Sequence, residues 1–170
     1  MVESKGIKVT NLQIWVAPGA MNALAQNKFP IRTSLALAKL SNKLNELRKP
    51  IDEARVGLVK HYGEKDAHGQ FSIPSTVKDP EQPELTETEL KAGKLPNMVH
   101  NVKLDEFQKE FDELMTAECE TEVIAEKIKL PEMVAATCDK CHHNMERLLE
   151  IEPSILAVLD PFVEVADARK

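Results

Sequence analysis

The chain has 170 residues, 42% hydrophobic and 29% charged, with one Trp and one Tyr, a length that can bury an aliphatic core in one domain without disulfides. No window approaches the roughly 18 apolar residues that a membrane helix needs, which argues against a membrane partner. Net charge is −6, but residues 1–63 carry 10 basic and 4 acidic side chains and residues 64–170 carry 12 and 24; the acidic half would repel phosphate, so nucleic acid is not the expected partner.

The stretch Met1–Thr10 is polar and holds no signal-peptide apolar segment, so the expected compartment is the cytoplasm. Lys8–Val16, with Val9, Ile14 and Val16, reads as a strand. Pro18 then suits the first turn of a short helix whose apolar face is Ala20, Met21, Leu24 and Ala25. Phe29-Pro30 closes that helix, because the residue before proline resists helical geometry. Trp15 beside the strand reads as core packing rather than as a partner-binding anchor.

Leu37, Leu40, Leu44, Leu47, Ile51, Ala54 and Leu58 then fall in 3-4 alternation, which places them on one stripe of a long helix. Thr33 or Ser34 is suited to cap its start, and Gly63 to stop it. At 1.5 Å per residue the helix spans roughly 45 Å. Pro50 lies inside it, yet the apolar register passes through unbroken, so the reading is one helix kinked near Arg48–Pro50. Its basic residues, among them Arg32, Lys43, Arg48 and Lys60, complement the acidic half of the chain more simply than they bind phosphate.

Asp66-Ala67-His68-Gly69 reads as a turn and Gln70–Ile73 as a short strand. Residues 74–97 hold four prolines and many acidic side chains, which marks an exposed insertion. Within it Thr86-x-x-Glu89 has the form of a capping box and predicts a short helix. Met98–Val102 reads as a strand. Leu104, Phe107, Phe111 and Leu114 form a second helical stripe, with Glu106, Glu110 and Glu113 as its solvated face. Glu122–Leu130 reads as a strand, His142–Ile151 as a helix, and Ser154–Leu159 as a helix opened by Pro153. Asp160-Pro161 then turns the chain so that Phe162 and Val163 anchor it.

The best chemical candidate is Cys138-x-x-Cys141-His142-His143. Two thiolates at this spacing can grip one tetrahedral metal, with Cys119, His142 or His143 completing the site. A second well-spaced ligand pair is missing, so zinc is the only cofactor entertained and none is required. Covalent haem on Cys-x-x-Cys-His needs export, and no export signal is read here. A thioredoxin-like role needs a repeated βα context that the chain lacks. There is no Gly-rich phosphate loop and no Gly-x-Ser-x-Gly elbow. No catalytic residue is assigned and the chain reads as a non-enzyme.

The order of segments carries a resemblance. "KVTNLQI", "PIRTSLALAKLSNKLNELRKPIDEARVGLVKHYGEKD", "FQKEFDELMTAECETEVIAEKIKL" and "ILAVLDPFVEV" together resemble a family of small tailed-bacteriophage and prophage proteins known only as a domain of unknown function. The resemblance covers most of residues 7–130 and 155–165. It brings no catalytic motif, and Cys138–Glu150 stands outside it as an insertion.

The sequence thus predicts an α+β fold, mainly helical. A long kinked helix pairs with a second helix as a hairpin, beside a small antiparallel sheet. One domain spans 1–170, with insertions at 74–97 and 138–150. The expected function is that of a non-enzymatic phage protein working by protein–protein contact in virion structure or assembly, in the infected cell's cytoplasm or the virion, and homo-oligomers are compatible with this. The alternatives are an inhibitor or modulator of a host factor, such as a defence nuclease or polymerase, and a zinc-binding accessory protein using Cys138 and Cys141.

Overall fold

The computed structural model describes residues 6–166, so residues 1–5 of the polar N-terminal stretch lie outside the described residues. In chain order the elements are α1 (Asn11–Leu24), α2 (Ile31–Tyr62), β1 (Glu64–Lys65), β2 (Phe71–Ser72), β3 (Thr76–Lys78), α3 (Glu87–Lys91), β4 (Met98–His100), α4 (Val102–Thr116), β5 (Ile128–Leu130), β6 (Met133–Thr137), β7 (Asn144–Leu148), α5 (Pro153–Leu159) and β8 (Val163–Val165). The fold is mixed helix and strand, and among the described residues the strands form four two-stranded ladders: β1–β2, β3–β4 and β6–β7 antiparallel, β5–β8 parallel. Backbone contacts gather the chain into two compact units, Met1–Ile51 with Met115–Lys170, and Asp52–Leu114.

The first unit holds a closed apolar core. Ile14, Leu24, Leu40, Leu44, Leu130, Leu159 and Phe162 are all 2% exposed or less, and full burial of each such side chain stabilises by about 1.5–3 kcal/mol. Helix α1 occupies the segment that reads as a strand in sequence, which corrects the Lys8–Val16 expectation. The cause is at its N-terminus: Thr10 accepts from the Gln13 backbone N–H while the Gln13 side chain accepts from the Thr10 N–H, a capping box. Ile14, Ala17, Pro18, Met21 and Leu24 are then buried at helical spacing. Pro18 sits in the middle of α1 rather than in its first turn. Packing of this face holds the helix through the missing hydrogen bond, and α1 lies in extensive backbone contact with α5.

Helix α2 runs unbroken through Pro50. It begins one residue after Pro30, so Thr33 and Ser34 lie inside it and cap nothing; the Ser34 hydroxyl donates to the Phe29 carbonyl at 3.1 Å. Leu37, Leu40, Leu44 and Ile51 of the stripe are buried, Leu47 and Leu58 half-buried and Ala54 exposed. The stripe is therefore core only along the first unit. Residues 7–10 run beside 117–124, with Ile7 N–H donating to Ile124 O at 3.0 Å and Cys119 N–H donating to Val9 O at 2.8 Å. Of the expected Glu122–Leu130 strand, Ile128–Leu130 forms the strand β5.

The expected helix at His142–Ile151 is instead strand β7, paired with β6 over five residues from Met133↔Leu148 to Thr137↔Asn144. Asn144–Leu148 is rich in helix formers, but the turn at 138–143 returns the chain directly alongside β6. Local propensity yields to that pairing.

In the second unit α2 ends where Gly63 N–H donates to Val59 O at 2.9 Å. A Cβ on Gly63 would lie 2.4 Å from that same oxygen, so glycine is required here by close approach. The β1–β2 turn is held by Asp66, whose Oδ1 accepts from His68 N at 2.8 Å and Gln70 N at 2.9 Å. The Pro-rich segment is largely exposed and is stitched to β4 through β3. The Thr86–Glu89 capping box forms as expected. Lys94, followed by the backbone and hydroxyl of Thr86, hydrogen-bonds the Glu89 carboxylate and lowers its pKa to about 2. Asn101 caps α4, accepting from Lys103 N at 3.1 Å and donating to Pro74 O at 2.8 Å. A helical hairpin along the two stripes is not confirmed, because α2 and α4 do not share the extensive backbone contact seen between α1 and α5.

Candidate functional site

The clearest surface feature belongs to the second unit. Among residues 52–114 the one buried side chain is Asn101, at 4% exposure, and no apolar side chain is fully buried. Leu58, Leu104, Phe107, Phe111 and Leu114 are each half-buried. The rings of Phe107 and Phe111 stack at 5.7 Å between centroids, and Tyr62 meets Phe107 edge-on at 6.4 Å. The Tyr62 hydroxyl reaches Glu110 Oε1 at 2.7 Å. Acceptance of this hydrogen bond by Glu110, then burial and the carboxylate charges of Glu110 and Glu106, raises the phenol pKa. Tyr62, at the end of α2, therefore touches the α4 stripe at Phe107. Leu95 and Val102 of the same unit are 86% and 65% exposed.

The basic residues of α2 in the first unit are partly engaged. Lys43 donates to the Glu122 carbonyl, and the Arg48 guanidinium lies 5.7 Å from the centroid of the half-buried Trp15 ring. A guanidinium over an indole is held by the ring quadrupole, which fixes both side chains.

The cysteines fall in two places. Cys119 lies on the segment that pairs with Val9. Cys138 and Cys141 sit together in the β6–β7 turn, closed by Cys138 N–H to His143 O at 3.0 Å and His142 N–H to Cys138 O at 2.8 Å. His142 takes the left-handed conformation, φ 56, which histidine adopts more readily than most side-chain-bearing residues. The Cys138 thiol pKa is lowered, first by the Cys141 thiol donating to its sulfur and then by the backbone N–H groups of Cys141 and Lys140. Among the described residues no three or more His, Cys, Asp or Glu side chains gather to hold a metal, so Cys119, Cys138, Cys141 and His142 do not converge as one site.

Open grooves also mark the surface. One of about 420 Å³ is lined by Asp79, Pro83, Leu85, Leu90 and Pro96, and one of about 610 Å³ by Ile7, Lys8, Cys119 and Glu122. His100 Nε2 lies 2.9 Å from both carboxylate oxygens of Asp105, an exposed pair at the start of α4. Among the described residues no helix is long and apolar enough to cross a membrane.

No protein-family model, no curated protein and no solved structure matches the chain.

Proposed function

We propose that this protein is a non-enzymatic module that works by protein–protein contact, with the two stripes of the second unit, set as a helical hairpin, as its working surface. The observation that carries this reading is the half-buried state of Leu58, Leu104, Phe107, Phe111 and Leu114 in a unit with no fully buried apolar side chain. Each further Å² of that surface covered by a partner contributes about 25 cal/mol. Exposed Leu95 and Val102 add apolar area of the kind that marks an interaction face.

The setting we propose is a tailed-phage particle or its assembly, and what supports it is the resemblance of the chain's segments to small phage proteins. Mass spectrometry of purified particles tests it. Detection at a fixed copy number per particle is the expected result. Absence from particles, together with a single stoichiometric host protein captured from lysate and released by salt, would instead support a host-directed modulator acting through the acidic half of the chain.

A further inference from the structure

We propose that Cys138 and Cys141 are a reversible dithiol–disulfide pair, and that closing the disulfide locks strand β7 onto β6.

The reach comes from the backbone of the turn. Thr137↔Asn144 ends the β6–β7 ladder, and Cys138 N–H donates to His143 O at 3.0 Å just beyond it. Inside that loop His142 N–H donates to Cys138 O at 2.8 Å, a bond of α-helical type that winds residues 138–142 into a single turn. Helical rise and radius put Cα atoms three residues apart at about 5 Å. Disulfides span Cα separations of about 4.4–6.8 Å, and side chains three apart lie on one face of such a turn. His142, at φ 56, then takes the chain out of the turn and into β7. Cys119 lies outside this turn, on the segment beside Val9.

Strand β7 is the element that a lock would change. Its partner β6 is anchored: Val134 is 1% exposed, and Ala135 N–H donates to Lys28 O at 3.3 Å. All five residues of β7 are exposed, and a two-stranded hairpin by itself is marginal in water. Asn144–Leu148 favours helix by composition, so the turn that aligns it with β6 decides its state. A covalent bond across that turn removes open conformations from the competing ensemble.

Cys141 is exposed and Cys138 half-buried, so an oxidant meets Cys141 first. The Cys141 thiolate attacks a low-molecular-weight disulfide, R–S–S–R, and expels R–S⁻. The Cys138 thiolate then attacks the Cys141 sulfur of the mixed disulfide and expels the second R–S⁻. The protein gives up two electrons and two protons, and one R–S–S–R becomes two R–SH.

This site belongs to the first unit and does not rest on the docking role proposed for the second. The test treats the full, untagged, reduced chain with oxidised glutathione, then iodoacetamide and trypsin, and reads the peptides by mass spectrometry. Lys140 lies between the two cysteines, so trypsin leaves Leu130–Lys140 and Cys141–Arg147 joined only by the disulfide. The expected product is that joined pair, about 2 Da lighter than the two reduced peptides together, with Cys119 linked to neither. Amide hydrogen exchange of β7 should slow about tenfold on oxidation and recover with dithiothreitol. Cys138→Ser should stop at the mixed disulfide on Cys141 without slowing β7. If that variant fails to fold, Cys141→Ser, at an exposed position, should likewise leave β7 exchange unchanged by the oxidant. Mixed disulfides on the wild-type chain with no link between Cys138 and Cys141, a link that takes in Cys119, or β7 exchange unchanged by the link would overturn the proposal.

Discussion

The Tyr62 hydroxyl donates a 2.7 Å hydrogen bond to Glu110 Oε1, tying the last turn of α2 to the middle of α4. Tyr62 is the one tyrosine in the chain, so ultraviolet titration of the phenol reports this contact without interference. The neutral phenol is the form that the fold favours, and its pKa lies above the unfolded value of about 10. The contact therefore contributes stability below pH of about 10 that is lost as pH rises through the folded pKa. The titration midpoint should exceed that of the urea-unfolded chain, and Glu110→Ala should bring the two together. A folded midpoint equal to the unfolded one would mean that Tyr62 and Glu110 do not meet.

Leu44 is fully buried in the first unit, whereas Lys39 one turn away is exposed. Leu44→Asp places an unpaired charge in the core and should cost several kcal/mol, enough to unfold the unit. Lys39→Ala should shift stability by less than about 0.5 kcal/mol. Thermal melts of both variants make the comparison.

Pro50 interrupts the hydrogen bonding of α2 without ending it. Alanine restores the N–H and removes the clash with the preceding turn, so Pro50→Ala should raise stability. The gain is bounded by the roughly 3 kcal/mol cost of an interior proline, less the entropy alanine returns to the unfolded chain. A melting temperature lowered by several degrees would show that the helix depends on the proline and would count against one continuous α2.

At Gly63 a Cβ would meet the Val59 carbonyl at 2.4 Å and the Ser72 carbonyl at 3.0 Å, both backbone atoms that cannot swing aside. Gly63→Ala should therefore destabilise the second unit by about 1–3 kcal/mol. Amide hydrogen exchange should show the loss in β1 and β2 and leave α1 protection unchanged.

Much of the helical content was legible because long periodic segments announce themselves. The stripe from Leu37 to Leu58 predicted α2, the stripe from Leu104 to Leu114 predicted α4, and Thr86-x-x-Glu89 predicted α3. The errors have physical causes. The strand reading of Lys8–Val16 rested on the β-branched Val9, Ile14 and Val16 and did not use the capping-box spacing of Thr10-x-x-Gln13. At Asn144–Leu148 the residues favour helix, and only the tight turn at 138–143 makes them a strand. The break between buried and exposed parts of the α2 stripe, after Ile51, was invisible because periodicity fixes a face and not what covers it. Cys138 and Cys141 were singled out from spacing, but the turn that holds them, closed by Cys138 N–H to His143 O, depends on backbone conformation.

In the proposed function the half-buried face of α4, with the end of α2, is a docking surface rather than an internal core. The direct measurement compares co-purification by the wild-type chain with that by Leu104→Gln/Phe111→Gln, each expressed in the proposed setting of phage growth and analysed by quantitative mass spectrometry. Circular-dichroism melts verify that the variant keeps its fold. The account predicts one stoichiometric protein bound to the wild type and lost from the folded variant. A folded variant that retains the same partner in the same amount would contradict it.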